Sequence, residues 1–165
     1  MSVEVPDDFS PPGEPRSPFT IVQSVSWSDI DAFGHVNHAV YLSWFENARF
    51  HYFELTGVSA YHASRNHGPI LARITVDYRA PVRFPDELWV SMQVLRIGNT
   101  SFTTRNRVWS ATQRRICAEA QAVIVMVDYG AEAAAVRVPE PIRAAMRAIE
   151  GIDLEPSTQS SGTIA

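Results

Sequence analysis

The apolar pattern of this chain changes period once near its beginning, and that change fixes a strand, a loop and a long helix in that order. Phe19, Ile21, Gln23, Val25 and Trp27 alternate with Thr20, Val22, Ser24 and Ser26, the two-residue period of a β-strand. From Asn37 onward Tyr41, Trp44, Phe45, Ala48, Tyr52 and Leu55 recur at three- and four-residue spacing, which places them on one helical face. Asn37 suits the N-cap, because its short side chain accepts from the first free N–H groups, and Gly57 suits the left-handed turn that stops a helix. The spacing predicts a long, aromatic-rich, largely buried helix.

After a loop at about His62 to Pro69, strand patterns follow at about 71–80, 87–97, 101–111 and 115–128, punctuated by Pro81 and Pro85, Gly98-Asn99 and Thr112-Gln113. Four strands in sequence are most simply adjacent and antiparallel. Val123-Ile124-Val125-Met126-Val127 is apolar on both faces, as a central strand with a helix on one side requires. A short helix over about 139–150, with proline in its first turn and Gly151 behind it, closes the unit. The class is α+β, an antiparallel sheet with one long helix against it.

The folded unit spans about 19–153. Residues 1–18 carry five of the eleven prolines and little apolar material, so they read as a flexible arm, and the Ser/Thr-rich 154–165 reads as a flexible tail. At 165 residues, 45% hydrophobic, the chain suits one core and not two. A net charge of −4 and no basic run longer than Arg114-Arg115 argue against a nucleic-acid partner. All 14 basic residues are Arg, which excludes a phosphate-loop lysine, a Schiff base and a Ser-Lys dyad. The single Cys117 cannot form an internal disulfide and reads as a buried thiol in a strand. With no secretory leader and no bilayer-length apolar window, a soluble cytoplasmic setting without a membrane partner is expected.

Chemistry points to the loop between strand and helix, Ser28-Asp29-Ile30-Asp31-Ala32-Phe33-Gly34-His35-Val36-Asn37-His38. The first N–H groups of a helix lack intrahelical partners and carry partial positive charge, so they can hold a developing oxyanion. A carboxylate beside such a helix start suits acyl chemistry. His35 and Asn37 most simply brace this loop, and Gly34 shapes its turn.

With Asp29-x-Asp31-x-x-Gly34-His35-Val36-Asn37, the following Tyr41…Phe45-Glu46-x-x-Arg49, and later Tyr78-Arg79-Ala80-Pro81-Val82, the chain resembles the 4-hydroxybenzoyl-CoA thioesterase-like family of hotdog-fold acyl-CoA thioesterases over roughly residues 19–130. The resemblance implies a sheet wrapped around the long helix and an active site between two subunits paired edge to edge, giving a homodimer or a homotetramer built from two dimers. It places the catalytic carboxylate on Asp31, the polarising N–H near His38, and Asp29 in a flanking position. It implies an acyl or aroyl thioester substrate, split to free acid and coenzyme A, with no metal or other cofactor. Coenzyme A is then expected on the turn of Arg96, Gly98, Asn99, Thr100 and Ser101, while Tyr41 and Trp44 either line the acyl channel or serve as core.

An ionised carboxylate can attack a polarised carbonyl or deprotonate a water, and sequence does not separate the two. Glu46 and Arg49 lie three apart on the helix and suit an ion pair. Asp-x-Asp-x-Phe-Gly fails as a calcium loop, having Phe33 and Val40 where ligands are needed, and no zinc spacing occurs. No Gly-x-Ser-x-Gly elbow is present either. A hotdog dehydratase or hydratase with His35 in its working pair, and a module that binds acyl-CoA without cleaving it, are the alternatives.

Overall fold

The computed structural model describes residues 17–151 and Leu154. The arm expected over 1–18 and the tail expected over 154–165 therefore fall almost wholly outside the described residues. Within them, Ser17 already bonds the carbonyls of Phe19 and Met92, and Leu154 is buried with its carbonyl accepting the Ile97 N–H. Packing thus extends one residue past the expected boundary at 153.

The elements run β1 (Thr20–Ser24), α1 (His38–Leu55), α2 (Val58–Arg65), β2 (His67–Tyr78), β3 (Glu87–Ile97), β4 (Ser101–Ser110), β5 (Arg115–Asp128), β6 (Ala134–Ala135) and α3 (Glu140–Glu150). All strand pairings are antiparallel, in the order β1-β3-β4-β5-β2, with the short β6 also on β5. The curled antiparallel sheet with a long helix against it is the architecture the resemblance implied.

The long helix forms as its spacing predicts. Tyr41, Trp44, Phe45, Ala48, Tyr52 and Phe53 are buried, and Asn37 caps the first turn by accepting the Ala39 N–H at 2.9 Å. Facing them from the sheet are Leu88, Val90, Met92 and Val94 of β3, Phe102 and Val108 of β4, and Ala120, Ile124 and Met126 of β5. Cys117 is buried beside them, where burial raises its thiol pKa.

Four expectations are corrected. The expected loop at His62 to Pro69 is instead the end of α2 and the start of β2: Gly57, at φ 77°, ends one helix and opens another whose Val58 is buried. β2 begins at His67 rather than 71, and it pairs with β5 rather than with its sequence neighbour β3. The alternation carried β1 on to Trp27, but the strand stops at Ser24 and Trp27, 75% exposed, opens a 3-10 turn. Leu55, assigned to the buried helix face, is exposed in the last turn of α1.

Candidate active site

The loop from Ile30 to Asn37 is a tight excursion closed by its own backbone. Ile30 and Val36 form an isolated bridge, Asp31 N–H donates to the His35 carbonyl at 2.8 Å, and Gly34 N–H donates to the Asp31 carbonyl at 3.0 Å. The reversal requires φ 78° at Gly34, a left-handed value that glycine adopts without Cβ strain. The loop is tied to the scaffold by Val36 N–H to the Val82 carbonyl and by Asn37 N–H to the Asp29 carbonyl. Asp29 itself accepts the Ser26 N–H at 2.8 Å, which makes it a cap of the preceding turn.

Asp31 Oδ1 accepts the Phe33 N–H at 2.8 Å, and Oδ2 has no hydrogen-bond partner among the described residues. The local bond fixes the carboxylate plane and leaves one oxygen for chemistry. Asp31, His35, His38, Tyr41, Tyr78 and Arg79 line one open cleft of about 330 Å³, floored by Val36, Ala80 and Pro81. At the helix start Ala39 N–H is taken by the Asn37 side chain and Val40 N–H by the Asn37 carbonyl. The His38 N–H, one position earlier, has no partner among the described residues, so the positive end of α1 faces the cleft with a donor to spare.

The supporting residues come from far along the chain. Tyr78 O–H donates to the His38 carbonyl at 2.9 Å, joining the end of β2 to the first turn of α1. Arg83 Nη2 donates to His35 Nε2 at 2.9 Å, so the ring nitrogen acts as acceptor and the imidazole is held as a brace. Arg79 is held at the cleft wall by Glu119, whose other oxygen accepts from Arg107 at 2.6 Å. Tyr41 is 2% exposed, and burial above all pushes its phenol up to about 12, so it remains a neutral hydroxyl at the cleft wall. Trp44 packs on Tyr41 with ring centroids 4.9 Å apart and does not line the cleft; it is core. Glu46 and Arg49 form the pair their spacing suggested, at 3.1 Å.

The turn of Arg96, Gly98, Asn99, Thr100 and Ser101 is not brought to Asp31 by the fold of the chain. Ala80, in the cleft floor, donates to Cys117 at one end of β5, whereas Met126, towards the other end, donates to Thr100. The β5 segment between them spans about 30 Å at the rise of an extended strand. Sequence reasoning found the loop but omitted Tyr78, Arg79 and Arg83 from the site. The signal for the first two is the Tyr78-Arg79-Ala80-Pro81 stretch, which belongs to the resemblance. Among the described residues no cluster of three or more His, Cys, Asp or Glu side chains is placed to hold a metal ion.

Known proteins resemble this chain in sequence and in fold. The family model of the thioesterase-like superfamily matches residues 25–146. The acyl-CoA thioester hydrolase YbgC of Escherichia coli is 29% identical over 109 residues, covering 63% of this chain and 78% of that protein. A Thermus thermophilus thioesterase, solved with coenzyme A and zinc, superposes with a TM-score of 0.74 at 30% identity over 84% of this chain and 98% of its own. A 1,4-dihydroxy-2-naphthoyl-CoA thioesterase from Synechocystis, 20% identical with a TM-score of 0.69 over 78% of this chain and 94% of its own, shares the fold.

Proposed function

The chain belongs to the thioesterase-like superfamily and is a thioester hydrolase of hotdog fold, and from that premise we propose that Asp31 carries the hydrolysis of an acyl-CoA or aroyl-CoA thioester to free acid and coenzyme A. The observation that carries this reading is the shared cleft: a carboxylate with one oxygen unpartnered among the described residues lines it together with a helix start whose first N–H is likewise unpartnered among them. The thioester carbonyl oxygen accepts from the His38 N–H, which stabilises the negative charge that develops as the carbonyl is attacked. Asp31 either attacks the carbonyl carbon, expelling the coenzyme A thiolate and leaving an anhydride that water opens, or takes a proton from the water that attacks. His35, Asn37 and Gly34 hold the loop, and Tyr78 holds the first turn of α1 to the sheet.

The site is completed by a second copy of the chain. β2 is a twelve-residue strand paired on one side only among the described residues, and an open edge of that length is a template for pairing. Exposed apolar side chains lie along it and along the helix, Leu71 on β2 with Leu42 and Phe50 on α1. A two-fold axis beside β2 pairs the two edges antiparallel and covers these groups. A homodimer is thus the minimal unit, and a homotetramer would pair two of them.

Thiol release from short, medium, long and aromatic acyl-CoA thioesters, with the acid product quantified alongside, tests the reaction. Free acid and free thiol in equal amounts are expected from at least one substrate. A change in the acyl chain without thiol release would favour a dehydratase or hydratase, and tight binding without turnover would favour a binding module. Either result overturns the hydrolase reading.

A further inference from the structure

The segment between β2 and β3 grips the loop of Asp31 at both of its ends. The Val82 carbonyl accepts the Val36 N–H at 2.9 Å, and the next residue, Arg83, donates from Nη2 to His35 Nε2, also at 2.9 Å. Consecutive residues 82 and 83 thus hold consecutive residues 36 and 35. One residue further on, the Phe84 ring packs edge-on against Trp27, with centroids 5.6 Å apart, in the 3-10 turn that leads into the loop. Arg83 is exposed, and among the described residues His35 is its only side-chain partner.

Among these contacts the Arg83 bond says which protons His35 carries. A guanidinium has five N–H donors, no acceptor, and keeps its proton in a protein, so the nitrogen it meets has to supply a lone pair. His35 Nε2 is therefore unprotonated, and the one proton of the neutral ring sits on Nδ1. An imidazolium would turn a donor towards a donor and a cation towards a cation, and the bond would be lost. His35 stands where that choice matters, because its carbonyl accepts the Asp31 N–H at 2.8 Å and both residues line the same cleft. With Nε2 spent on Arg83, the ring has no free lone pair to compete with Asp31 for a proton. Being neutral, it does not tie up the carboxylate in an ion pair either.

We propose that Arg83 is a positioning residue: it fixes His35 as the neutral imidazole protonated on Nδ1, which holds the loop of Asp31 in place and removes His35 as a competing base. Its effect on turnover rests on the hydrolase reading with Asp31 as the reacting carboxylate; the tautomer itself does not.

The test joins nitrogen NMR to kinetics. The ring-nitrogen signals of His35 are recorded at about pH 8, above the ordinary imidazole range, and assigned by comparison with His35→Gln. In the wild type Nδ1 should be protonated and Nε2 unprotonated, and a protonated Nε2 would overturn the proposal before any variant is made. Arg83→Met keeps an apolar stem and removes the donors. It should release His35 to a mixture of tautomers and lower kcat for thiol release about tenfold, the scale of one charge-assisted hydrogen bond, with KM within about twofold. Arg83→Lys, which restores a donor and the charge, should recover part of both effects. Unchanged kcat in Arg83→Met, or a loss of kcat with the wild-type tautomer retained, would overturn the proposal. Absence of thiol release by the wild type would overturn the hydrolase reading instead, and the His35 signals of wild type and Arg83→Met would still decide whether Arg83 selects the tautomer.

Discussion

Gly34 shows how much of the site rests on one backbone angle. Its φ of 78° lets the loop fold back so that Asp31 N–H meets the His35 carbonyl. A Cβ there has free space around it, so the cost of Gly34→Ala is conformational alone, about 1–2 kcal/mol. Lower thermal stability with a proportionally larger loss of kcat is the expected outcome, measured by melting and by thiol release; unchanged values for both would show that the turn does not set the carboxylate. Local rules made several such residues legible from sequence. Asn37 as a cap and Glu46 with Arg49 follow from positions a few residues apart. Tyr78 on the His38 carbonyl was not legible, because that bond joins residues 40 apart through a strand whose position depends on the whole sheet. Trp27 misled the alternation, since nothing in a two-residue period says where a strand stops.

Elements were legible in kind more than in place. The long helix and the strands at 87–97 and 115–128 match their patterns because long periodic segments carry a strong signal. The eight-residue α2 is hidden because Gly57 signals the end of one helix as readily as the start of another, and sequence order, which suggests β3 as the neighbour of β2, does not show that β2 pairs with β5. Removing the cap of α1 with Asn37→Ala should cost about 1 kcal/mol by denaturant melting and fray the turn that presents the His38 N–H. The end of α3 makes a second prediction. Glu150 Oε1 accepts from the Tyr52 hydroxyl at 2.9 Å and from the Val94 N–H at 2.8 Å, beside the β3 bulge between Val94 and Arg96. Burial raises its pKa, outweighing these bonds. The folded state therefore favours the protonated acid, so its contribution to stability is full below the ordinary glutamate value and is lost as pH rises through the raised one. Across that window the melting temperature of the wild type should fall relative to Glu150→Gln, which keeps an acceptor but does not titrate. Parallel profiles would contradict the assignment.

At the scale of the whole molecule, the proposal of a paired site rests on what the single chain leaves uncovered. Among the described residues β2 has one unpaired edge, apolar side chains stand exposed beside it, and the 98–101 turn lies a sheet-length from Asp31. The resemblance supplied a shared site in principle; the separation of Asp31 from residues 98–101 became visible only once β4 and β5 had been placed. Light scattering at micromolar concentration should give at least twice the chain mass, and a monomer there would remove the shared site. The central claim remains that Asp31 performs the chemistry. It is tested most directly by measuring thiol release for the wild type and Asp31→Asn on the best acyl-CoA substrate, with folding checked by circular dichroism. A folded variant whose kcat falls by about 10²–10⁴ is the predicted result, and near-normal turnover by that variant would contradict it.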